Sequence, residues 1–441
     1  MAANLSHRAA AVAKKNNNLL WDVLGDLWDP ETNPGGYVSV GVADNMLMQQ
    51  ELLDYIRQRF GPELRHLTYN DGPSGSNRLR KATAHFLTRQ LQPHQSILPE
   101  HVSITNGVSA ATEHLAWSLC DHGDVVLLGR PYYRAFLKDL GLRPNTNIID
   151  IAFIDVDCMS DGALPLYEQA MKQNAEAGNR IKAVMICNPH NPLGRCYSKR
   201  FLVGLLKLCQ TYQIHLISDE IYALSVWRTG EGSPSPLCGF TSVLALNTSG
   251  IIDPSLVHVI WGVSKDLGSN GLRMGAIISQ SNPLLLEAVQ ATSIYSCISG
   301  LADHTVCNIL EDDQFIEGFI EKNKQQLYDA YTYMTHKLDQ HQIDYDSRSN
   351  AGLFVWCDLL SAFFRLQKRT VSYTLNEKKR ISDQIYNRLL EQRVFIGRGE
   401  DFGHECPGWA RLTFSQSRAN VDEAILRIVG VLRSHLEEGC D

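Results

Sequence analysis

Lys265 lies within "WGVSKDLGSNGLRMG" (residues 261–275), between the apolar run "VHVIWGV" and a glycine-rich turn that carries Arg273. A lysine at a strand end commonly holds its ammonium in water while the carbon stem covers apolar surface. The same position also suits an amine nucleophile that forms a Schiff base, with Arg273 holding an anion beside it. Four other turns bear on the choice. "NPHNPLG" (188–194) has two Asn-Pro steps and a glycine, which make a rigid, non-helical loop able to aim the amide of Asn191. "DEIY" places Asp219 and Tyr222 three residues apart, where a carboxylate and a phenol can meet one ligand. "TNGVSAATE" (105–113) leads into a helix whose free amides, around Val108 and Ser109, make an anion site. "GWARLTF" offers Arg411, whose planar guanidinium can grip a carboxylate with two parallel bonds. Neither GxxxxGK[ST] nor GxGxxG occurs, so nucleotide motifs do not account for these turns.

The elements that must position these groups are legible as an alternation. "HVSIT" then "SAATEHLAWSLC", "DVVLLG", "IKAVMICNP", "IHLISDEIY" and "VHVIWGVSK" set short apolar runs between helix-like segments. Such crossover units build a mainly parallel sheet between helices. Ligands of such sheets sit beyond the carboxyl ends of the strands, where the reactive residues fall. After residue 320 or so the pattern changes to long helix-like segments plus "AGLFVWCDL" and "WARLTFS", which predicts a smaller α+β domain over 321–441. Residues 61–320 then form the large domain, and residues 1–60 an arm packing on the smaller one.

The chain has 441 residues, 44% hydrophobic and 20% charged, enough for a large core and more than one domain. Its 41 basic and 48 acidic residues give a net charge of -7, which disfavours nucleic acid and anionic membrane as partners and favours a small molecule. The basic clusters "FFRLQKR" and "NEKKR" (363–380) read as a solvated helical face. Eleven scattered cysteines and a start without a long apolar segment indicate reduced thiols and a cytoplasmic protein. No apolar run approaches the ~20 residues that span a bilayer.

One cofactor unites the five turns. Pyridoxal phosphate brings an aldehyde for a lysine, a phosphate, a ring nitrogen that seeks a carboxylate and a phenolic oxygen that seeks donors. "NPHNPLG", "SDEIY", "SKDLGSNGLRMG", "NAGLFVWCDL" and "GWARLTF" occur in order, and the chain resembles class I/II aminotransferases of fold type I. It is most similar to the 1-aminocyclopropane-1-carboxylate synthase-like branch with its fungal secondary-metabolism members. The resemblance implies a mainly parallel seven-stranded α/β sheet, a smaller α+β domain and a homodimer. It makes Lys265 the aldimine lysine and the base for the α-proton, which requires its pKa to fall from ~10.4. Asp219 would pair with the ring nitrogen. Asn191 and Tyr222 would bind the phenolic oxygen, and Tyr133 would stack on the ring, with Tyr132 as the alternative. Phosphate would be held by Arg273, Val108, Ser109 and Ser264, and Arg411 would read the substrate carboxylate.

Three departures from the family follow. A phosphate-binding serine is often found three residues before the lysine, where this chain has Gly262. The aromatic that reaches the neighbouring subunit's phosphate aligns with Tyr69 or with Pro73. Plant synthases carry a glutamate where "GVADN" has Asp44, which argues for an aminotransferase or carbon–sulfur lyase of specialised metabolism. The alternatives are a true aminocyclopropane-carboxylate synthase, a silent cofactor-binding protein, and a hydrolase built on Cys406 and His404. That last pair is adjacent enough in sequence for local packing to explain it.

Overall fold

The computed structural model describes residues 5–15, 19–228, 237–369 and 371–435. The ends of the basic, alanine-rich start, residues 1–4 and 16–18, lie outside the described residues.

Seven strands form the central sheet, in the spatial order Val102–Asn106, Met274–Ile278, Val257–Gly262, His215–Asp219, Ile181–Cys187, Val125–Gly129, Asn147–Ile151. All neighbours are parallel except at Met274–Ile278, which runs antiparallel to both of its own. Helices cover both faces, so interior strands are mostly apolar; Val257–Gly262 and Met274–Ile278 are buried at every position. Alternate residues of one strand enter different cores, Val259 and Trp261 on one face and Ile260 on the other.

Strands ending at Asn106, Cys187, Asp219 and Gly262 deliver their turns to one edge of the sheet. The antiparallel strand begins at that edge, with Met274 opposite Asn106, and so brings Arg273 to the same place.

Beside this sheet lies a four-stranded antiparallel one, ordered Gly397–Arg398, Trp409–Thr413, Phe354–Asp358, Asp344–Tyr345. Helix Asp313–Gln340 runs between the two regions, and Leu359–Leu366, Leu375–Glu391 and Arg418–Arg433 follow it. Early residues thread between the sheets. Val38–Ser39 pairs in parallel with Val394–Phe395, the Thr413 amide donates to the Val40 carbonyl at 2.7 Å, and Met46 donates to Ser415 at 2.9 Å. This path suspends residues 41–44 between Arg411 and Lys265. Among the described residues, no helix is long and apolar enough to cross a membrane.

Candidate active site

At the shared strand edge a cavity of about 250 Å³ opens between the two sheets. Lys265, Ser264, Asp219, Tyr222, Asn191, Val108, Ser109, Tyr133, Arg273, Asp44 and Arg411 all line it. Residues from five turns, up to 303 positions apart, are thus brought together.

Lys265 occupies a one-turn helix, Val263–Asp266, at the end of strand Val257–Gly262. The turn is fixed from below. Asp266 accepts from the Ser225 hydroxyl at 2.7 Å and the Trp261 indole at 3.1 Å, and Asn323 donates to the Asp266 carbonyl at 3.2 Å. The Lys265 Nζ donates to the Ala43 carbonyl at 2.6 Å. Burial lowers its pKa to about 8, with Asp44 pulling upward and Arg411 and Arg273 adding to the fall. A neutral amine is therefore accessible near physiological pH.

Asp219 ends its strand fully enclosed. Burial raises its pKa to about 7 against the pull of the Ile221 amide, which donates to one carboxylate oxygen at 3.1 Å. A cationic partner inside the cavity would relieve that cost. Tyr222 is buried beside it, edge-on to Phe354.

Helix Val108–Leu119 begins at the cavity without any side-chain cap, which leaves its first amides free for an anion. Gly107 there has φ +83°, and a Cβ on it would strike the Arg273 guanidinium. Arg273 donates to the Asn270 carbonyl at 3.0 Å. Gly262 has a steric explanation: a Cβ there would come within 2.6 Å of the Met274 carbonyl and 3.1 Å of Val108, so this backbone leaves no room for a serine.

Of the two adjacent tyrosines only Tyr133 lines the cavity. The Tyr132 hydroxyl donates instead to Asp150 at 3.1 Å. Arg411 is buried between Phe354 and Phe402, each ring centroid 5.0 Å from the guanidinium carbon. Its Nη2 donates to the Gly41 carbonyl at 2.6 Å and its Nη1 to Asn191 Oδ1 at 2.9 Å, while Nε is buried with no partner. Asp44 accepts from the Asn270 amide, and its carbonyl accepts from the Ser415 hydroxyl at 2.7 Å.

Tyr69 is not in this cavity. It is 87% exposed and lines a separate hollow with Pro73 and Ile294. His404 stands edge-on to Trp356 and Trp409, outside the cavity, as expected of a packing residue.

Some contributors carry no sequence signal. The carbonyls of Gly41 and Ala43 hold Arg411 and Lys265, and any residue type supplies a carbonyl. Asp139 also lines the cavity, and burial pushes it up to about 6 against the Ser109 hydroxyl. Arg134, Leu20, Thr112 and Phe136 also stand in the wall.

The donor set fits pyridoxal phosphate: an uncapped helix start and guanidinium for phosphate, an enclosed carboxylate for a ring nitrogen, and a buried amine for an aldehyde. Fold and cavity together define an enzyme of the pyridoxal-phosphate type. The sequence family described as aminotransferase class I and II matches residues 66–428, and the chain belongs to it. A probable aminotransferase of Aspergillus fumigatus, gliI, is 31% identical, over 90% of this chain and 89% of its own. The 1-aminocyclopropane-1-carboxylate synthase 2 of Cucurbita pepo is also 31% identical, over 90% of this chain and 79% of its own. Aspartate aminotransferase from Thermus thermophilus, solved with maleate, shares the fold with a TM-score of 0.73 at 19% identity, over 97% of this chain and 99% of its own. The seven-stranded, mainly parallel α/β fold and the cofactor class implied by the motifs are borne out.

Asp219 also sets a pH dependence. Its ordinary pKa is 3.8 and its folded value about 7, so between these pH values the cofactor-free folded state holds a proton the unfolded chain has lost. Stability therefore falls as pH rises across that window. Asp219→Asn removes this loss. Thermal unfolding of the cofactor-free protein should show the variant roughly 2–4 °C above wild type at pH 8 and close to it at pH 4, while its affinity for pyridoxal phosphate drops. Equal unfolding temperatures at pH 8 would mean that Asp219 is not ionised in isolation.

Proposed function

We propose that this enzyme acts at the α-carbon of an amino acid, either transferring its amino group or expelling a β-thiolate, in a specialised metabolic pathway of the cytoplasm. One observation carries this reading: a buried lysine with a pKa near 8 shares a cavity with the buried guanidinium of Arg411, whose Nε has no partner. Pyridoxal phosphate, when bound, supplies the electron-accepting ring that makes the α-carbon acidic. In this proposal Arg273, Ser264 and the Val108–Ser109 amides hold the phosphate. Asp219 keeps a proton on the ring nitrogen, Asn191 and Tyr222 steady the phenolic oxygen, and Tyr133 covers the ring face. Arg411 orients the amino acid by its carboxylate, and the neutral Nζ of Lys265 removes the α-proton and returns it. The free thiols among the described cysteines suit the cytoplasm. The Val38–Ser39 ladder with Val394–Phe395 supports an N-terminal arm, residues 1–60, on a small domain of residues 321–441, with residues 61–320 holding the cofactor.

Asp44 bears on the reaction. Its carboxylate is one methylene short of a glutamate's and accepts from the Asn270 amide, while Ser415 holds the Asp44 backbone carbonyl. A displacement near 1 Å can cost ~10²-fold in rate. A panel of amino acids and cysteine S-conjugates, with products read by mass spectrometry, tests the proposal. We expect keto acid, or thiol with ammonia, at least ~10²-fold faster than release of 1-aminocyclopropane-1-carboxylate from S-adenosylmethionine. Rapid ring closure would make the enzyme a synthase after all.

We further propose a homodimer. Leu64, Leu67, Tyr69, Ile294 and Tyr295 are large apolar side chains left exposed around the hollow that holds Tyr69, a surface suited to a second copy from which Tyr69 reaches the neighbouring phosphate. Light scattering should give twice the chain mass of 49.4 kDa, and Leu67→Asp should lower it. A fully active monomer would refute the dimer.

A further inference from the structure

The helix that carries Lys265, Val263–Asp266, is a single turn, too short to satisfy its own last carbonyls. Gly268, at φ +61°, turns the chain so that its amide reaches the Lys265 carbonyl at 3.3 Å. The rest of the capping comes from two asparagines, each 1% exposed, on elements remote in sequence. Asn323, on helix Asp313–Gln340, donates to the Asp266 carbonyl at 3.2 Å. Asn45, next after Asp44 on the segment threaded between the sheets, donates to Asn323 Oδ1 at 2.8 Å and reaches the Lys265 carbonyl at 3.5 Å. Its own Oδ1 accepts from the Leu47 amide at 3.3 Å. A Cβ on Gly268 would strike the Asn45 carbonyl, so the threaded segment and the lysine turn pack backbone to backbone.

The amides thus run in a chain from Asn45 through Asn323 to Asp266. One end lies two residues from Ala43, whose carbonyl accepts from the Lys265 Nζ at 2.6 Å, and the other lies one residue from Lys265 itself. Both partners of the Nζ contact are therefore referenced to one buried pair. An apolar pair of the same shape would fill the space without fixing the register, because only amides supply the donor and acceptor that each link uses. Neither asparagine lines the cavity, so neither can touch cofactor or substrate there.

We infer that Asn45 and Asn323 are positioning residues for Lys265, a clamp that fixes the lysine turn against the threaded segment and so sets where Nζ stands when it attaches the cofactor and moves the α-proton. The inference rests on the α-carbon reading above and adds to it the residues that place the base.

Attachment of pyridoxal phosphate to the full-length, cofactor-free protein tests the clamp without turnover, followed by absorbance and fixed with borohydride at each pH. Asn323→Leu nearly keeps the volume and removes both amide bonds. At saturating cofactor its attachment should be ~10–10²-fold slower than that of wild type, the scale of a displacement near 1 Å. Its pH midpoint should fall from about 8 to about 7, because the ammonium form loses the Ala43 acceptor. With an amino-acid substrate, kcat should fall by ~10–10²-fold while KM stays within about 3-fold, and deuterium at the α-carbon should slow the variant more than the wild type. Asn45→Ala breaks the chain from its other end, leaves the Asp266 carbonyl capped and should show the same changes at smaller size. It carries the test if Asn323→Leu does not fold. Gln49→Leu removes the neighbouring bond from Gln49 Nε2 to the Gly268 carbonyl, 3.3 Å long, and should leave rate and midpoint at their wild-type values. Asn45 and Asn323 variants that lose thermal stability yet attach the cofactor at the wild-type rate and pH overturn the inference. Slower attachment at a lowered midpoint, with no amino acid reacting even in the wild type, keeps the clamp and sinks the α-carbon reading.

Discussion

Lys265→Ala is expected to give a protein that no longer turns yellow with pyridoxal phosphate and whose turnover is lower by at least ~10⁴-fold. The size follows from two roles lost together, the amine nucleophile and the proton carrier, the second alone being worth ~10²–10⁴-fold. Among the described residues no other lysine lines the cavity, so nothing can stand in. Folding should not suffer, because burial already disfavours the charged amine and lowers its pKa to about 8. Lys265→Arg should be as inactive as alanine, since a guanidinium with a pKa above ~12 cannot act as a base. Added methylamine should restore part of the activity to the alanine variant and none to the arginine one, which separates missing chemistry from misfolding. An alanine variant that kept an unchanged, borohydride-reducible chromophore would place the nucleophile elsewhere.

Taken alone, Lys265 was open between a strand-end lysine and a nucleophile, and the reason is general. A lysine at a strand end is ordinary, and its environment comes from Ala43, Asp44, Arg273 and Arg411, which lie from eight to 222 positions away. What made it legible was that four other turns, each weak alone, had a common cofactor. The interior parallel strands were legible because burial on both faces leaves mainly apolar runs, as in Ile181–Cys187, apolar at every position but Lys182. Two strands were not. Asn147–Ile151 is an edge strand with only Ile151 fully buried, so it shows neither an apolar run nor a clean alternation. Met274–Ile278 runs antiparallel, with no crossover helix before it, and reads as the tail of the glycine-rich turn. In the site, side chains with distinctive chemistry were readable, whereas the Gly41 and Ala43 carbonyls and the carboxylate of Asp139 were not. Backbone oxygens carry no residue signature, and Asp139 sits in the short helix Phe136–Gly141, where an acidic residue is unremarkable. The choice between Tyr132 and Tyr133 needed the structure, because adjacent tyrosines differ only in where each points, one to Asp150 and one into the cavity.

The second large effect is expected at Arg411. Arg411→Lys should lower kcat/KM for every amino acid by ~10²–10³-fold, equivalent to about 3–4 kcal/mol, while changing the affinity for pyridoxal phosphate by less than about 3-fold. The guanidinium lies between Phe354 and Phe402, with one Nη committed to Gly41 and the other to Asn191. Its Nε is buried without a partner, so an arriving carboxylate meets a fixed, dehydrated cation with a donor in reserve. An ammonium offers a point charge and cannot satisfy Gly41, Asn191 and a carboxylate in one plane. It would also leave Asn191 free to turn, so the loss should appear in kcat as well as in KM. Arg273→Lys is the control at the other end of the cavity, beside Gly107 and the uncapped helix start. There the penalty should fall on cofactor affinity, with substrate KM nearly unchanged once cofactor is saturating. If Arg411→Lys instead released pyridoxal phosphate while its substrate kinetics at saturating cofactor stayed at the wild-type level, the two arginines would have exchanged roles, and the carboxylate would bind at the helix end of the cavity.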